Sequence, residues 1–237
     1  MDLIIKLGSN TFYSMEEFAK NIYLYHDEAL ALIKSKKFLK ILYNYNEKMY
    51  NNIVELLSQP FQNDAFLFKA QYIINPIMSL RYHGYNFENV EELGKKILSF
   101  GPQIDIYLKD FLKYKLLSYY FEVVHFDERK PQLYKNIKTL EEEFLTNENK
   151  AYFKLGFVLD NQKCILYNGK KFNDVKQFMS YVILPVSITE FAKDFIKSQY
   201  VFAWLDYLGH KKEISLFESI VDNVEQKERK NDNLRKI

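Results

Sequence analysis

Cysteine is almost absent from this 237-residue chain: Cys164 stands alone, so no disulfide can form within it, which suits a reducing cytoplasm. Glycine is scarce at seven residues, and none falls in a GxGxxG or P-loop spacing, which removes the phosphate-cradling loops of the common nucleotide-binding folds. With five prolines and so few glycines there is no Pro/Gly/Ser-rich linker to divide the chain. An excess of one charge sign is lacking too: the formal net charge is +2, too small a field to select nucleic acid or an anionic membrane by itself. No apolar run approaches the roughly 20 residues of a membrane helix. The opening MDLIIKLGSN is too short in its apolar run for a signal peptide, so a cytoplasmic protein is expected.

Chemistry-bearing patterns are equally thin. The histidines are His26, His83, His125 and His210, none in the HxH, HExxH or Cys/His spacing that a metal site needs. No serine lies in a GxSxG turn. His26, Asp27 and Glu28 form a tempting acid/base run, but adjacent helix positions point in different directions, so the run reads as a surface helix start. Cys164 reads as a small, half-buried strand residue. The acidic clusters Glu141-Glu142-Glu143 and Glu91-Glu92 read as solvated helix faces or caps. No catalytic, cofactor-binding or metal-binding residue is assigned, and the expectation is a protein that is not an enzyme and holds no cofactor.

What the chain does have is bulk and repetition. Hydrophobic residues make up 48%, with 19 Tyr and 20 Phe, enough for a sizeable aromatic core. Three segments share one pattern: LIIKLGSNTFYSMEEF from Leu3, MSLRYHGYNFENVEEL from Met78 and KCILYNGKKFNDVKQF from Lys163. Their turn glycines, Gly8, Gly84 and Gly169, are spaced by 76 and 85 residues. Short alternating runs closed by a Gly turn read as β-hairpins, most clearly at Asn168-Gly169. An aromatic residue follows each turn: Phe12, Phe87 or Phe172. Then comes a capping box: Ser14 with Glu17, Asn89 with Glu92, Asp174 with Gln177. A helix is expected behind each, its buried face carried by Met15, Phe18 and Ile22, by Val90, Leu93 and Ile97, and by Val175, Phe178 and Val182.

Further helices follow in each copy. The second is expected to be the longer one and carries a lysine at an equivalent place: Lys34, Lys113 and Lys197. A third is marked by Tyr50, Ile53 and Leu56 and by Tyr134, Ile137 and Leu140, with Phe217 and Ile220 as its last version. A fourth is expected near Asp64–Ile74 and Lys150–Leu159. The fold class is therefore mainly α: three tandem repeats, each a short hairpin followed by helices, forming one elongated helical-repeat body. Repeat 1 covers about 1–75, repeat 2 about 76–160 and a truncated repeat 3 about 161–226, with a polar tail over 227–237.

The turn Gly, the following Phe, the cap, and then Glu17-Phe18-Ala19 or Glu92-Leu93-Gly94 resemble hairpin-plus-helix repeat modules appended to large bacterial signalling and chaperone-like proteins. The third copy departs with Gln177-Phe178-Met179. The resemblance implies an interaction role and carries over no catalytic residue. The expected function is accordingly a non-enzymatic protein-binding or regulatory module, such as an inhibitor or adaptor, from a bacterium or its phage. Exposed aromatics on the runs Tyr43-Asn44-Tyr45 and Tyr119-Tyr120-Phe121 would supply the contact surface. The alternative is nucleic-acid binding through a stripe made by Lys34, Lys113 and Lys197. An enzyme of unknown type comes third.

Overall fold

The computed structural model describes residues 4–182 and 199–234. The chain is mainly helical. In order, the elements are β1 (Ile5–Leu7), β2 (Asn10–Phe12), α1 (Met15–Asn21), a 3-10 turn (Ile22–Tyr25), α2 (His26–Ile33), α3 (Lys36–Tyr45), α4 (Glu47–Leu57) and α5 (Asn63–Ile74). Next come β3 (Leu80–Tyr82), β4 (Tyr85–Phe87), α6 (Val90–Leu98), α7 (Ile106–Lys113), α8 (Leu116–Val123), α9 (Phe126–Arg129), α10 (Pro131–Glu143) and α11 (Glu148–Asp160). Last are β5 (Ile165–Tyr167), β6 (Lys170–Phe172), α12 (Val175–Val182), α13 (Tyr200–Tyr207) and α14 (Lys211–Leu234). The expected polar tail is helical as far as Leu234.

Each strand pair is an isolated antiparallel hairpin, and the pairing is equivalent in all of them: Ile5 faces Phe12, Leu80 faces Phe87 and Ile165 faces Phe172. The turn glycines are not equivalent. His83 and Gly84 both have positive φ, at 46° and 81°, as do Asn168 and Gly169, at 46° and 72°. A two-residue turn of that kind matches the twist of the strands, and glycine takes its second place. In the first hairpin Gly8, at φ 53°, holds the first place instead. The position aligned with Gly8 is therefore His83, an imidazole held in the left-handed region that β-carbons disfavour.

Caps set the helix starts. Ser14 Oγ accepts from Glu17 N at 3.1 Å, and Asp174 Oδ1 accepts from Gln177 N at 2.9 Å. Glu17 reaches one residue further back than a capping box requires: its carboxylate accepts from Tyr13 N at 3.3 Å, not from Ser14. Behind Asn89, α6 begins at Val90, with Glu92 in its first turn. The second helix, expected to be the longer, is so by one residue in the first copy and shorter by one in the second, and that of the third copy lies outside the described residues. The 3-10 turn sets α2 off from α1, leaving it eight residues, and α7 also has eight.

Two compact units result: 1–89 with 110–137, and 90–109 with 138–237. The first is built on α5, where Ala65, Phe66, Leu67, Phe68, Ala70, Gln71, Tyr72 and Ile74 are all buried. A helix apolar on nearly every side must lie in the middle of its neighbours. Phe12, Phe18 and Phe38 pack in succession in this core, with centroids 6.5 and 5.3 Å apart, and Phe68, Tyr82 and Phe111 form a triangle of mutual contacts at 5.3–5.9 Å. Each fully buried ring of this kind stabilises the fold by roughly 1.5–3 kcal/mol. The second hairpin hangs on α5 through side chains. Gln71 donates to Arg81 O at 2.9 Å, while Tyr72 donates to Ser79 O and accepts from Arg81 N, both at 2.8 Å. These bonds satisfy strand groups that a two-stranded ribbon leaves unpaired.

In the second unit α6 crosses α11 at two glycines. A β-carbon on Gly94 would stand 2.9 Å from Gly156 O, and one on Gly156 would meet Ile97 at 2.7 Å. Phe153 and Phe157 of α11 pack on Tyr200 of α13, with centroids at 4.9 and 5.8 Å. Phe178 is the hub of the third hairpin, touching Tyr167, Phe172, Trp204 and Phe217. Trp204 also donates its indole N–H to Lys163 O at 3.1 Å.

The acidic run at the end of α10 is a solvated face only at Glu142, which is exposed. Glu141 is buried. Glu143 is half-buried in an ion network in which Lys150 and Lys154 each bind both Glu143 and Asp206, at 2.6–3.3 Å. Helix packing turned both side chains inward, and the lysines supply the counter-charge at Glu143.

Candidate functional site

Two features of the first unit stand out, a cluster of titratable side chains at the start of α5 and a groove along its end. The cluster converges on Asp64. His26 Nε2 lies 2.8 Å from Asp64 Oδ1, and His83 Nε2 lies 3.1 Å from the same oxygen. The two rings are 26° from parallel, with centroids 6.5 Å apart. His26 Nδ1 also lies 2.8 Å from Asp27 Oδ1. Tyr23 contacts the His83 ring at 5.1 Å and donates its hydroxyl to Asp64 O at 3.0 Å. Tyr82 contacts both the His83 ring, at 4.6 Å, and the Tyr23 ring, at 5.5 Å, and donates to Asp110 Oδ2 at 2.7 Å.

The local environment decides protonation. Partial burial opposes charge on His26, but hydrogen bonds to Asp27 and Asp64 and the charges of both carboxylates outweigh it, so its pKa is raised above the ordinary 6.5. Burial pushes the Asp110 carboxyl up, against the Tyr82 hydrogen bond and the charge of Lys113. Tyr82 is raised far above 10 by its own burial and by Asp110, so it stays a neutral donor. Among the described residues no three His, Cys, Asp or Glu side chains are placed to hold a metal ion.

His26 and Asp27 do come together, against the expectation that adjacent positions of this run diverge, while Glu28 does not join them. The residue missed was Asp64, thirty-eight positions from His26. The one sequence signal for the cluster was His83 in a turn position where Asn or Gly costs less.

The groove, about 480 Å³, is lined by Asn46, Met49 and Asn52 of the α3–α4 region, Tyr72, Ile73 and Pro76 at the end of α5, and Tyr119, Val123 and His125 around α8. Apolar residues stand exposed next to it in the chain. Ile77, directly after Pro76, is 90% exposed, and Tyr43 and Tyr45, just before Asn46, are 57% and 51% exposed. In the other expected aromatic run Phe121 is fully buried and Tyr119 and Tyr120 are half-buried, so that run is mostly core. Lys48 and Asn52 at the groove have no side-chain partner among the described residues.

Of the expected lysines, Lys34 is exposed, with its ammonium 3.5 Å from Asn63 Oδ1 and 5.4 Å from the Phe66 ring. Lys113 is exposed, with its ammonium 4.9 Å from the Tyr114 ring. Lys197 lies outside the described residues. In the second unit, half-buried Cys164 donates to Gln162 Oε1 at 3.5 Å and lines a small pocket with Lys95, Lys171 and Tyr200. Burial holds the Tyr200 hydroxyl up at about 12, so it too is neutral.

Comparison with family models, with curated proteins and with solved structures returns no match. Among the described residues no helix is long and apolar enough to cross a membrane.

Proposed function

We propose that the chain is a non-enzymatic protein-binding module of the cytoplasm, acting as an adaptor or inhibitor, and that it is built from tandem repeats of about 1–75, 76–160 and 161–226. The observation that carries the binding reading is the groove at the end of α5, with exposed Ile77 and the Tyr43/Tyr45 pair adjacent in the chain to its lining residues Pro76 and Asn46. Large apolar side chains next to a concavity are the anchor-and-pocket arrangement on which protein contacts concentrate their energy. The shared strand pairing and caps of the hairpins support the repeat reading, because local turn and cap chemistry is what a duplicated unit preserves. A bacterial or phage source accords with the modules that the hairpins resemble.

The test is a pull-down from lysates of the source cells, with Ile77→Asp and Asn52→Arg as matched controls. Both sites are at the surface, so folding should be unchanged. A complex recovered with the native chain and lost with either variant supports the reading; a complex retained by both variants removes the groove from it.

The exposure of Lys34 and Lys113 favours a second reading, nucleic-acid binding through these residues with Lys197. The ammonium groups would neutralise phosphates, and affinity would then fall steeply with salt.

A further inference from the structure

We propose that His26, Asp64 and His83 form a proton-dependent latch that holds the turn of the second hairpin against the starts of α2 and α5. The inference is independent of the binding role above. Its basis is geometric. Each member comes from a different element: His26 opens α2, Asp64 lies in the first turn of α5, and His83 sits in the β3–β4 turn. One carboxylate oxygen lies between the two imidazoles, hydrogen-bonded to His26 Nε2 at 2.8 Å and at ion-pair distance, 3.1 Å, from His83 Nε2.

His26 is the sensor because both of its ring nitrogens face carboxylate oxygens, at 2.8 Å each. A carboxylate oxygen only accepts, so both contacts are hydrogen bonds only when both nitrogens carry protons. The neutral ring has one donor and must give up one contact. The positive ring also offsets the charge of Asp64, a charge that acts to raise the Asp110 carboxyl.

The groups around the sensor are Asp27 on α2, Asp64 on α5, His83 on the hairpin turn and Tyr23 on the 3-10 turn. Behind them stand Tyr82 and Asp110, with Lys113 acting on Asp110 and Lys34 bound at Asn63 beside Asp64. The acidic groups nearest His26 therefore outnumber the cations in contact with it.

The direction follows from the charge. A histidine favoured in its charged form in the fold stabilises the fold below its unfolded pKa of about 6.5, and that stability is lost as pH rises through the higher folded value. The latch is tight in mild acid and loosens toward alkaline pH. The far end of the same hairpin is held by Tyr72 and Gln71, whose bonds involve no group that titrates near neutrality. Loosening should thus be confined to the turn.

The experiment is an NMR titration of the imidazole resonances of the full chain, with amide hydrogen exchange over 80–87 recorded across the same pH range. The native His26 ring should titrate above about 6.5. Exchange protection at the turn, corrected for intrinsic rate, should fall through that midpoint. In Asp64→Asn the His26 midpoint should drop, and in His26→Gln the protection should lose its pH dependence. A native His26 midpoint at or below about 6.5 overturns the proposal, as does identical pH dependence of protection in the native chain and His26→Gln. The native titration alone decides the first point even if a variant fails to fold.

Discussion

Gly94 and Gly156 bring α6 and α11 within backbone contact: a β-carbon on Gly94 would lie 2.6 Å from Asp160 N and 2.9 Å from Gly156 O. Neither atom can move without shifting α11 itself. A β-carbon on Gly156 would instead meet side-chain atoms, Ile97 Cγ2 at 2.7 Å and Leu98 Cδ2 at 2.8 Å; the Leu98 methyl can rotate, but Ile97 Cγ2 sits on a β-branch whose χ1 a helix holds fixed.

This asymmetry yields a stability prediction. Gly94→Ala should destabilise the fold by about 1–3 kcal/mol, the usual cost of overpacking, reduced somewhat by alanine's better helix propensity. Gly156→Ala should also destabilise, by about 1–2 kcal/mol and less than Gly94→Ala, because its clash is with side-chain atoms and not with backbone. Urea unfolding of both variants checks the order; a Gly156→Ala that is the worse of the two would contradict it.

The hub at Phe178 gives a second. It is fully buried against Tyr167, Phe172, Trp204 and Phe217. Phe178→Ala should cost about 3–5 kcal/mol. Trp204 is the chain's one tryptophan and is itself buried, so its fluorescence reports this region alone. An unchanged emission maximum and melting temperature would show that the ring does not anchor the third hairpin.

Acid sensitivity follows from the ion network of α10, α11 and α13. Burial works against the Asp206 charge, but hydrogen bonds from Lys154 and Lys150 prevail and hold its pKa below the ordinary carboxylate value. The folded value is the depressed one, so this stability is present above the unfolded pKa of about 3.9 and is lost as pH falls through the folded value. Asp206→Asn should lower stability at neutral pH by about 1 kcal/mol, discounted for solvent screening, and should flatten the pH dependence of unfolding below about pH 4. Equal slopes in the two proteins would remove Asp206 from the network's energetics.

Anisotropy titrations with RNA and DNA oligonucleotides separate the two functional readings. The protein-binding reading expects no association tighter than about 1 µM at about 150 mM salt, the range of ordinary non-specific contact. The lysine reading expects tighter binding, weakened by Lys34→Ala with Lys113→Ala, and a salt slope smaller by about two contacts. Tight binding indifferent to those lysines would contradict both.

The parts of the fold legible from sequence were those made by neighbours along the chain. Asn168-Gly169 announced its turn, Ser14 and Asp174 announced their helices, and Asn75-Pro76 marked the end of α5, because a turn or cap closes its hydrogen bonds within a few residues. The buried faces of Phe18, Leu93 and Phe178 followed from helical spacing alone. The turn of the first hairpin was misaligned, because Gly8, Gly84 and Gly169 look alike as letters while Gly8 serves a different turn position.

The candidate site was largely illegible. His26 gave no sign that Asp64 and His83 would reach it, nor did Glu143 show that Lys150, Lys154 and Asp206 would surround it. By itself the sequence determined a mainly helical chain punctuated by hairpins, since propensity, turns and caps are short-range forces. Only the tertiary structure decided which acids lie inward, which aromatics stay exposed and which histidine has its pKa raised by neighbouring carboxylates. Those properties depend on desolvation and on charges a few ångströms away in space, and residues far apart in the chain supply both.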